Sequence, residues 1–206
     1  MRKNDFMKKL NVSRETLNSF CEYESLLSKW NKKINLVSKT TLVDIWNRHF
    51  LDSGQIVNHV DASGKIWVDI GAGAGFPGLV VALLLRDRKI NCDLTLVEKN
   101  TKKVFFLNEV IRNLNLNVNV VNSSIDCIEP LNADILTARA FSELKDLIQI
   151  AHQHRKAQGI CLFLKGENYR FELDKTLNYW FFDYDVVESL SNPSGKIIRV
   201  KKILKR

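Results

Sequence analysis

The residues best placed to do chemistry sit in one short stretch, Val68-Asp69-Ile70-Gly71-Ala72-Gly73-Ala74-Gly75-Phe76-Pro77-Gly78. A loop this rich in glycine turns sharply and lets a ligand lie against backbone amides, above all where it opens a helix. Two patterns overlap in it. Gly73, Gly75 and Gly78 fit the G-x-G-x-x-G of dinucleotide sites, while Asp69, Gly71, Gly73 and Gly75 fit the D-x-G-x-G-x-G of S-adenosyl-L-methionine enzymes. Asp69 favours the second reading. A carboxylate at the strand end repels a pyrophosphate but can meet the amino group of a zwitterionic tail, through water or backbone amides. Glu98, closing the next strand, can accept both ribose hydroxyls of either cofactor. Ser124-Ile125-Asp126 sets a backbone amide beside a carboxylate, a pair suited to N1 and the exocyclic amine of adenine.

Two cations join this constellation. Arg139 follows the fourth predicted strand, at the sheet edge where methyl donor and acceptor should meet. Lys165 ends the fifth, beside Gly166, and could hold a phosphate or a base carbonyl. Both are candidate catalytic residues. His49 reads as a structural, hydrogen-bonded histidine. His152 and His154, two apart on a helix, point to different faces and make no metal pair. The four cysteines, Cys21, Cys92, Cys127 and Cys161, form no C-x-x-C pair, so neither a zinc site nor a disulfide framework is expected.

The elements that must position these groups follow from periodicity. The first sixty residues read as helices: Ser13 is a candidate N-cap, and Leu17, Phe20, Leu27 and Trp30 recur at helical spacing. A second short helix is expected over about Leu42 to Phe50. From Lys65 the pattern alternates. Strands are expected at Ile66–Ile70, Leu94–Val97, Val118–Val121, Ile135–Ala138 and Ile160–Leu164. Helices are expected at Pro77–Leu85, Thr101–Leu114 and Ser142–Arg155. Such alternation implies βαβ units and a parallel sheet. Tyr184–Leu190 and Lys196–Leu204 are joined by too short a turn for a parallel crossover, so they close the sheet as an antiparallel hairpin. The expected fold is α/β and Rossmann-like, a seven-stranded, mostly parallel sheet. Residues 1–60 form a helical extension packed as one unit with the cofactor domain, 61–206.

Charge is unevenly distributed. The net is +8. Residues 1–60 hold 10 Lys/Arg against 6 Asp/Glu, and the last eleven hold 6 cations and no acid. A polyanionic partner gripped by the basic ends would explain this; so would a lysine-rich edge strand that discourages aggregation. The chain offers neither an apolar signal core nor an aliphatic run long enough to cross a bilayer. A cytoplasmic protein with no membrane contact is expected, working as a monomer.

The sequence resembles the bacterial small-subunit (16S) rRNA guanine-N7 methyltransferases, the RsmG family, formerly glucose-inhibited division protein B. The resemblance runs nearly end to end. It is carried by Trp30-Asn31-Lys32 with Asn35-Leu36, Arg48-His49 with Asp52-Ser53, and the Gly71–Gly78 loop with Pro77-Gly78. Further on, Lys102-Lys103 with Phe105 and Leu107, Arg139-Ala140-Phe141, and Leu164-Lys165-Gly166 carry it too. The chain departs from the family pattern at Val37, Ala72 and Ser124. The resemblance implies S-adenosyl-L-methionine as cofactor, with contacts at Gly71, Phe76, Ile125, Asp126 and Arg139. The partner it implies is 16S rRNA or the small ribosomal subunit, for which Arg48, Lys165, Arg199 and Lys201 are candidate nucleic-acid contacts.

Guanine N7 carries an in-plane lone pair and no proton at neutral pH, so its methylation needs positioning and exclusion of water but no general base. In duplex RNA that edge lies in the deep, narrow major groove, so an unpaired or splayed guanine is the expected target. A small-molecule methyltransferase, an NAD(P)-dependent oxidoreductase and a noncatalytic RNA-binding module stand as alternatives.

Overall fold

The computed structural model describes Met1–Arg206 throughout. Its centre is a seven-stranded sheet in the order β3-β2-β1-β4-β5-β7-β6. The strands are β1 (Lys65–Ile70), β2 (Cys92–Val97), β3 (Asn119–Val121), β4 (Ala133–Arg139), β5 (Arg155–Lys165), β6 (Trp180–Glu188) and β7 (Lys196–Lys205). The first five are mutually parallel, β7 runs antiparallel between β5 and β6, and β6 is the edge. The strand order reverses between β1 and β4, and the crevice beyond the carboxyl ends of those two strands is where such sheets bind ligands.

The helices are α1 (Lys3–Leu10), α2 (Arg14–Asn31), α3 (Lys39–Leu42), α4 (Asp52–Gly54), α5 (Gly78–Asp87), α6 (Thr101–Asn113), α7 (Leu144–His154) and α8 (Tyr169–Leu177). Ser13 caps α2 as its side chain suggests, accepting from Thr16 N at 3.2 Å, while its own hydroxyl donates to Asp87. α5 is apolar on nearly every face and fully buried from Gly78 to Leu85, so it is a core helix and not a surface one.

The structure departs from expectation at four points. The first strand of the hairpin is Trp180–Glu188 and not Tyr184–Leu190, because Trp180 and Phe182 are buried in alternation with exposed Phe181 and Asp183. The single helix expected over Leu42–Phe50 is broken: α3 ends at Leu42 and the chain resumes as a π-helical turn, Trp46–Leu51. A π-turn rotates the side chains that follow it and is often found at functional sites. Helix α8 was not foreseen, because only Leu173 and Thr176 along it are buried and its apolar stripe is too thin to register. The basic strand β7 is not an edge; it is flanked on both sides, and the edge strand β6 carries Asp183, Asp185 and Glu188.

Residues 1–60 are not set apart from the sheet. Phe6, Phe20, Tyr23, Trp46 and Phe50 are buried in the same apolar cluster as Phe76, Leu79 and Val80. Their rings meet edge-on or tilted, 4.9–6.3 Å apart, geometry that adds to the stabilisation from burial alone. Met1 N also pairs with Asp44 at 2.9 Å.

Candidate active site

The glycine loop is held from beneath by carboxylates. Asp69 is completely buried; its Oδ2 accepts from Gly78 N at 2.9 Å and its Oδ1 from the Thr137 hydroxyl at 2.8 Å. Burial pushes its pKa up to about 7, against the lowering effect of those donors. Asp69 thus ties the loop to the start of α5 and to β4, and it has no surface facing a ligand. Glu98 binds the other side: Oε2 accepts from Gly73 N and Oε1 from Asn100 N, each at 2.8 Å. Gly71, Gly73 and Gly75 all have positive φ. A methyl group at position 71 would also run into the Phe141 ring, so glycine is required there twice over.

Above the loop lies a cavity of about 280 Å³, lined among others by Gly71, Glu98, Lys103, Ile125, Asp126 and Phe141. Of the residues expected to hold a cofactor, this wall unites Gly71, Glu98, Ile125 and Asp126. Asp69, Gly73, Gly75 and Phe76 shape the loop from behind. The ring of Phe76 is buried between neighbours: it stacks on Tyr23 at 5.6 Å and on His49 at 4.7 Å, and the Arg139 guanidinium lies over it at 5.0 Å. The Tyr23 hydroxyl donates to the Ala74 carbonyl.

The donor set fits an adenosyl amino acid. Each Glu98 oxygen uses one acceptor position, Oε2 on the glycine loop and Oε1 on Asn100 N, and keeps a second for a ribose hydroxyl. Asp126 is exposed, and Gly73 leaves its Cβ side open, the nearest atom being 3.7 Å from where a methyl would stand, so a chain can lie against the backbone there.

A second cavity, of about 340 Å³, adjoins the first across Ala140. It is strongly polar, and Arg48, Asp52, Arg139, Lys165, Glu172 and Lys196 contribute its charges. Arg139 reaches across to the N-terminal segment. Its guanidinium donates to Asp52 Oδ2 at 3.1 Å, to the Arg48 carbonyl at 3.0 Å and to His49 Nδ1 at 2.6 Å. Burial and the charges of Arg139 and Arg48 lower the His49 pKa to about 3, so its ring is neutral and Nδ1 accepts. Lys165 Nζ donates to the Ser142 carbonyl at 2.9 Å and pairs with Glu172 Oε2 at 2.6 Å. Asp52 and Glu172 were missed as site residues. Asp52 is brought in by the π-turn and by the serines of the β6–β7 turn, Glu172 by α8; Asp52 stands in the Arg48-His49 and Asp52-Ser53 motif, while Glu172 has no local sequence signal beyond its charge.

Arg199 and Lys201 stand elsewhere. Because β7 starts at the ligand edge, where Lys196 pairs with Lys165, its later residues run away from it. At about 3.3 Å per residue, Lys201 lies roughly 17 Å and Lys205 roughly 30 Å down the strand. Arg199 and Lys201 also share Asp185 Oδ2, at 2.7 and 3.1 Å.

Two cavities meeting at the switch point of a 3-2-1-4-5-7-6 sheet, one built for an adenosyl cofactor and one rich in cations, define a methyltransferase of the Rossmann-like class. Solved structures agree on the fold. A putative S-adenosyl-L-methionine-dependent methyltransferase from Methanococcus maripaludis superposes with a TM-score of 0.59 at 14% identity, over 87% of this chain and 91% of that one. A SAM-dependent methyltransferase from Aquifex aeolicus does so with 0.55 at 15% identity, over 75% and 90%. The family model for rRNA small subunit methyltransferase G matches residues 16–199. Ribosomal RNA small subunit methyltransferase G of Ruegeria pomeroyi is 40% identical over 93% of both chains. That of Paramagnetospirillum magneticum is 39% identical over 97% of this chain and 95% of its own. The chain belongs to the rRNA small subunit methyltransferase G family.

Proposed function

We propose that the protein transfers a methyl group from S-adenosyl-L-methionine to N7 of a guanine in 16S rRNA. The observation that carries this reading is the pairing of the two cavities with a histidine that cannot serve as a base. The one histidine lining the second cavity is neutral and already committed to Arg139. An acceptor that must lose a proton would be poorly served; guanine N7 has none to lose.

When bound, S-adenosyl-L-methionine supplies an electrophilic methyl group on a sulfonium. Gly71, Glu98, Ile125 and Asp126 would hold it in the first cavity, and Arg139 fixes the wall that faces the second. The wall at Ala140, common to the two cavities, would present the N7 lone pair to that methyl group. The residues contribute alignment and exclusion of water. Positive charge passes to the purine, so it helps that Arg139 is neutralised by Asp52 and turned away toward His49.

RNA is held at the same edge. Arg48 is exposed there, and Lys99, Lys102 and Lys103 stand at the start of α6, none of them in an ion pair. Beside them Phe105 is 64% exposed, an aromatic surface on which an unpaired base can stack. Lys165 faces the base and not the phosphates. On this reading the protein works in the cytoplasm as a monomer on 16S rRNA or the small subunit; no helix is long and apolar enough to cross a membrane.

The test is transfer of labelled methyl from the cofactor to purified small-subunit rRNA, followed by digestion and mass spectrometry. The label should appear as 7-methylguanosine. Label on a ribose or on another base atom would sink the proposal.

A further inference from the structure

We infer that the Lys165–Glu172 ion pair reads the target base as guanine, Lys165 donating to O6 and Glu172 accepting from N1–H and the 2-amino group. The inference rests on the methyl transfer proposed above and names the residues that give it base specificity.

The exposed Arg48 guanidinium apart, the second cavity presents few charged groups with unused capacity. Asp52 accepts from Arg139, from the Ser191 hydroxyl at 2.6 Å and from Ser189 and Gln55 at 3.4 Å. Arg139 is spent on His49, Asp52 and the Arg48 carbonyl. Lys196 also uses two of its three donors, on Glu188 and the Pro193 carbonyl, but its carboxylate partner is 78% exposed and lies outside the cavity lining. Lys165 and Glu172 differ. Lys165 uses two of its three N–H donors, on Ser142 and Glu172. Glu172 engages only Oε2, with Lys165 Nζ and with Leu144 N at 2.7 Å, and Oε1 has no hydrogen-bond partner. Their side chains are 10% and 19% exposed, so the pair is stiff and mostly dry yet still open to the cavity.

Their order along the wall matches the order of groups on guanine. The methyl crosses at Ala140, shared by the two cavities. Lys165 is next, because Arg139 pairs with Leu164 in the sheet and Lys165 bonds the Ser142 carbonyl of the same loop. Glu172 follows, since it accepts from Leu144 N, two residues past the Ser142 carbonyl that Lys165 bonds. Around guanine the sequence is N7, O6, N1–H, 2-amino. With N7 at the methyl, O6 falls to the ammonium and N1–H with the 2-amino group to the free Oε1. Adenine reverses the pattern: its 6-amino donor would face Lys165 and its N1 acceptor would face a carboxylate, leaving both unpaired. A polar site rejects such a mismatch far more strongly than an apolar one does.

The test uses 5′-GMP, 5′-IMP and 5′-AMP as inhibitors of methyl transfer to small-subunit rRNA. IMP keeps O6, N1–H and N7 but lacks the 2-amino group. The parent should be inhibited by GMP about tenfold better than by IMP, the difference made by one hydrogen bond to a charged acceptor, and least by AMP. Glu172→Gln puts an NH2 where Oε1 stood, so GMP and IMP should become equal within about twofold. Lys165→Gln removes the O6 donor, which both nucleotides use, so both should weaken together and their ratio should hold. The second variant leaves Glu172 on Leu144 N and keeps the test alive if Glu172→Gln folds poorly. A GMP-to-IMP ratio that survives in Glu172→Gln, a ratio that collapses in Lys165→Gln, or a parent that prefers AMP would overturn the clamp while methyl transfer stood. Absence of 7-methylguanosine from the parent reaction would overturn the activity and the clamp together.

Discussion

Arg139 and His49, ninety residues apart in the chain, are joined by a hydrogen bond of 2.6 Å from the guanidinium to Nδ1. The bond fastens the π-turn of the N-terminal segment to the end of β4. Phe76 of the glycine loop stacks beneath both groups. Movement of the N-terminal helices is thereby movement of the wall between the two cavities, and the first sixty residues belong to the site as much as the sheet does.

Arg139→Lys should lower methyl transfer about a hundredfold, or about 2.7 kcal/mol of barrier. An ammonium cannot reach Asp52, His49 and a carbonyl in one plane as the guanidinium does. His49→Leu, which removes the acceptor, should approach the same loss. His49→Gln keeps an acceptor oxygen and should stay within about tenfold of the parent. The Nε2 atom has no partner, so its removal carries no penalty. Steady-state kinetics of the three variants check this, and equal loss in Leu and Gln would refute the role given to Nδ1. Since the His49 pKa is lowered to about 3, the kcat–pH profiles of the parent and His49→Gln should have the same shape from pH 6 to 8.

Glu98→Ala should weaken cofactor binding by about 2–4 kcal/mol. The carboxylate supplies ribose acceptors and also holds Gly73 N and Asn100 N. Calorimetry with S-adenosylhomocysteine measures the first effect, and a fall in melting temperature of the free protein reports the second. Unchanged affinity would remove Glu98 from the ribose site.

Asp69→Asn tests the buried carboxylate through pH. With its pKa raised to about 7 in the folded state against 3.8 as the reference, Asp69 binds its proton more tightly folded than unfolded. Its contribution to stability is fully present below the unfolded value and is lost as pH rises toward 7, at about 1.4 kcal/mol per pH unit at the steepest. His49, with a lowered pKa, acts in the opposite sense at acid pH, but it is common to both proteins and cancels in the difference. Asn can still accept from Gly78 N, and the Thr137 hydroxyl can turn to the Val68 carbonyl 3.4 Å away. Urea midpoints at pH 5, 6, 7 and 8 should show the parent losing ground to Asp69→Asn as pH rises. A constant gap would show that Asp69 is ionised throughout.

What the sequence disclosed follows from what is local. The glycine loop, the strands feeding it and the Ser13 cap depend on near neighbours, and their residues announce them. The partners of Arg139 do not: His49 and Asp52 reach it through a π-turn, and no periodicity marks a single extra residue in a helix. The polar start of β5, Arg155–Gln158, was missed because it pairs at one end of the sheet without an apolar face. Nothing in two neighbouring antiparallel strands tells which is the edge, so the place of β7 inside β6 came only with the fold.

That placement decides the last prediction, which concerns salt. Neutralising a phosphate contact lowers the slope of log affinity against log salt by roughly 0.7–0.9. If RNA lies across the ligand edge, Lys99, Lys102 and Lys103 replaced together by Gln should flatten the slope by about 2–3. The tail variant, with Gln at Arg199, Lys201, Lys202 and Lys205, should keep the parent slope, because those residues descend the strand toward the opposite edge of the sheet. Its melting temperature should stay close to the parent's, since the pairs with Asp185 are partly exposed and contribute little. Light scattering would show more self-association if the tail's charge serves solubility. RNA binding measured at five salt concentrations for the parent and both variants separates the surfaces. A flattened slope in the tail variant would mean that RNA wraps from the ligand edge over the hairpin, and that the basic tail grips it.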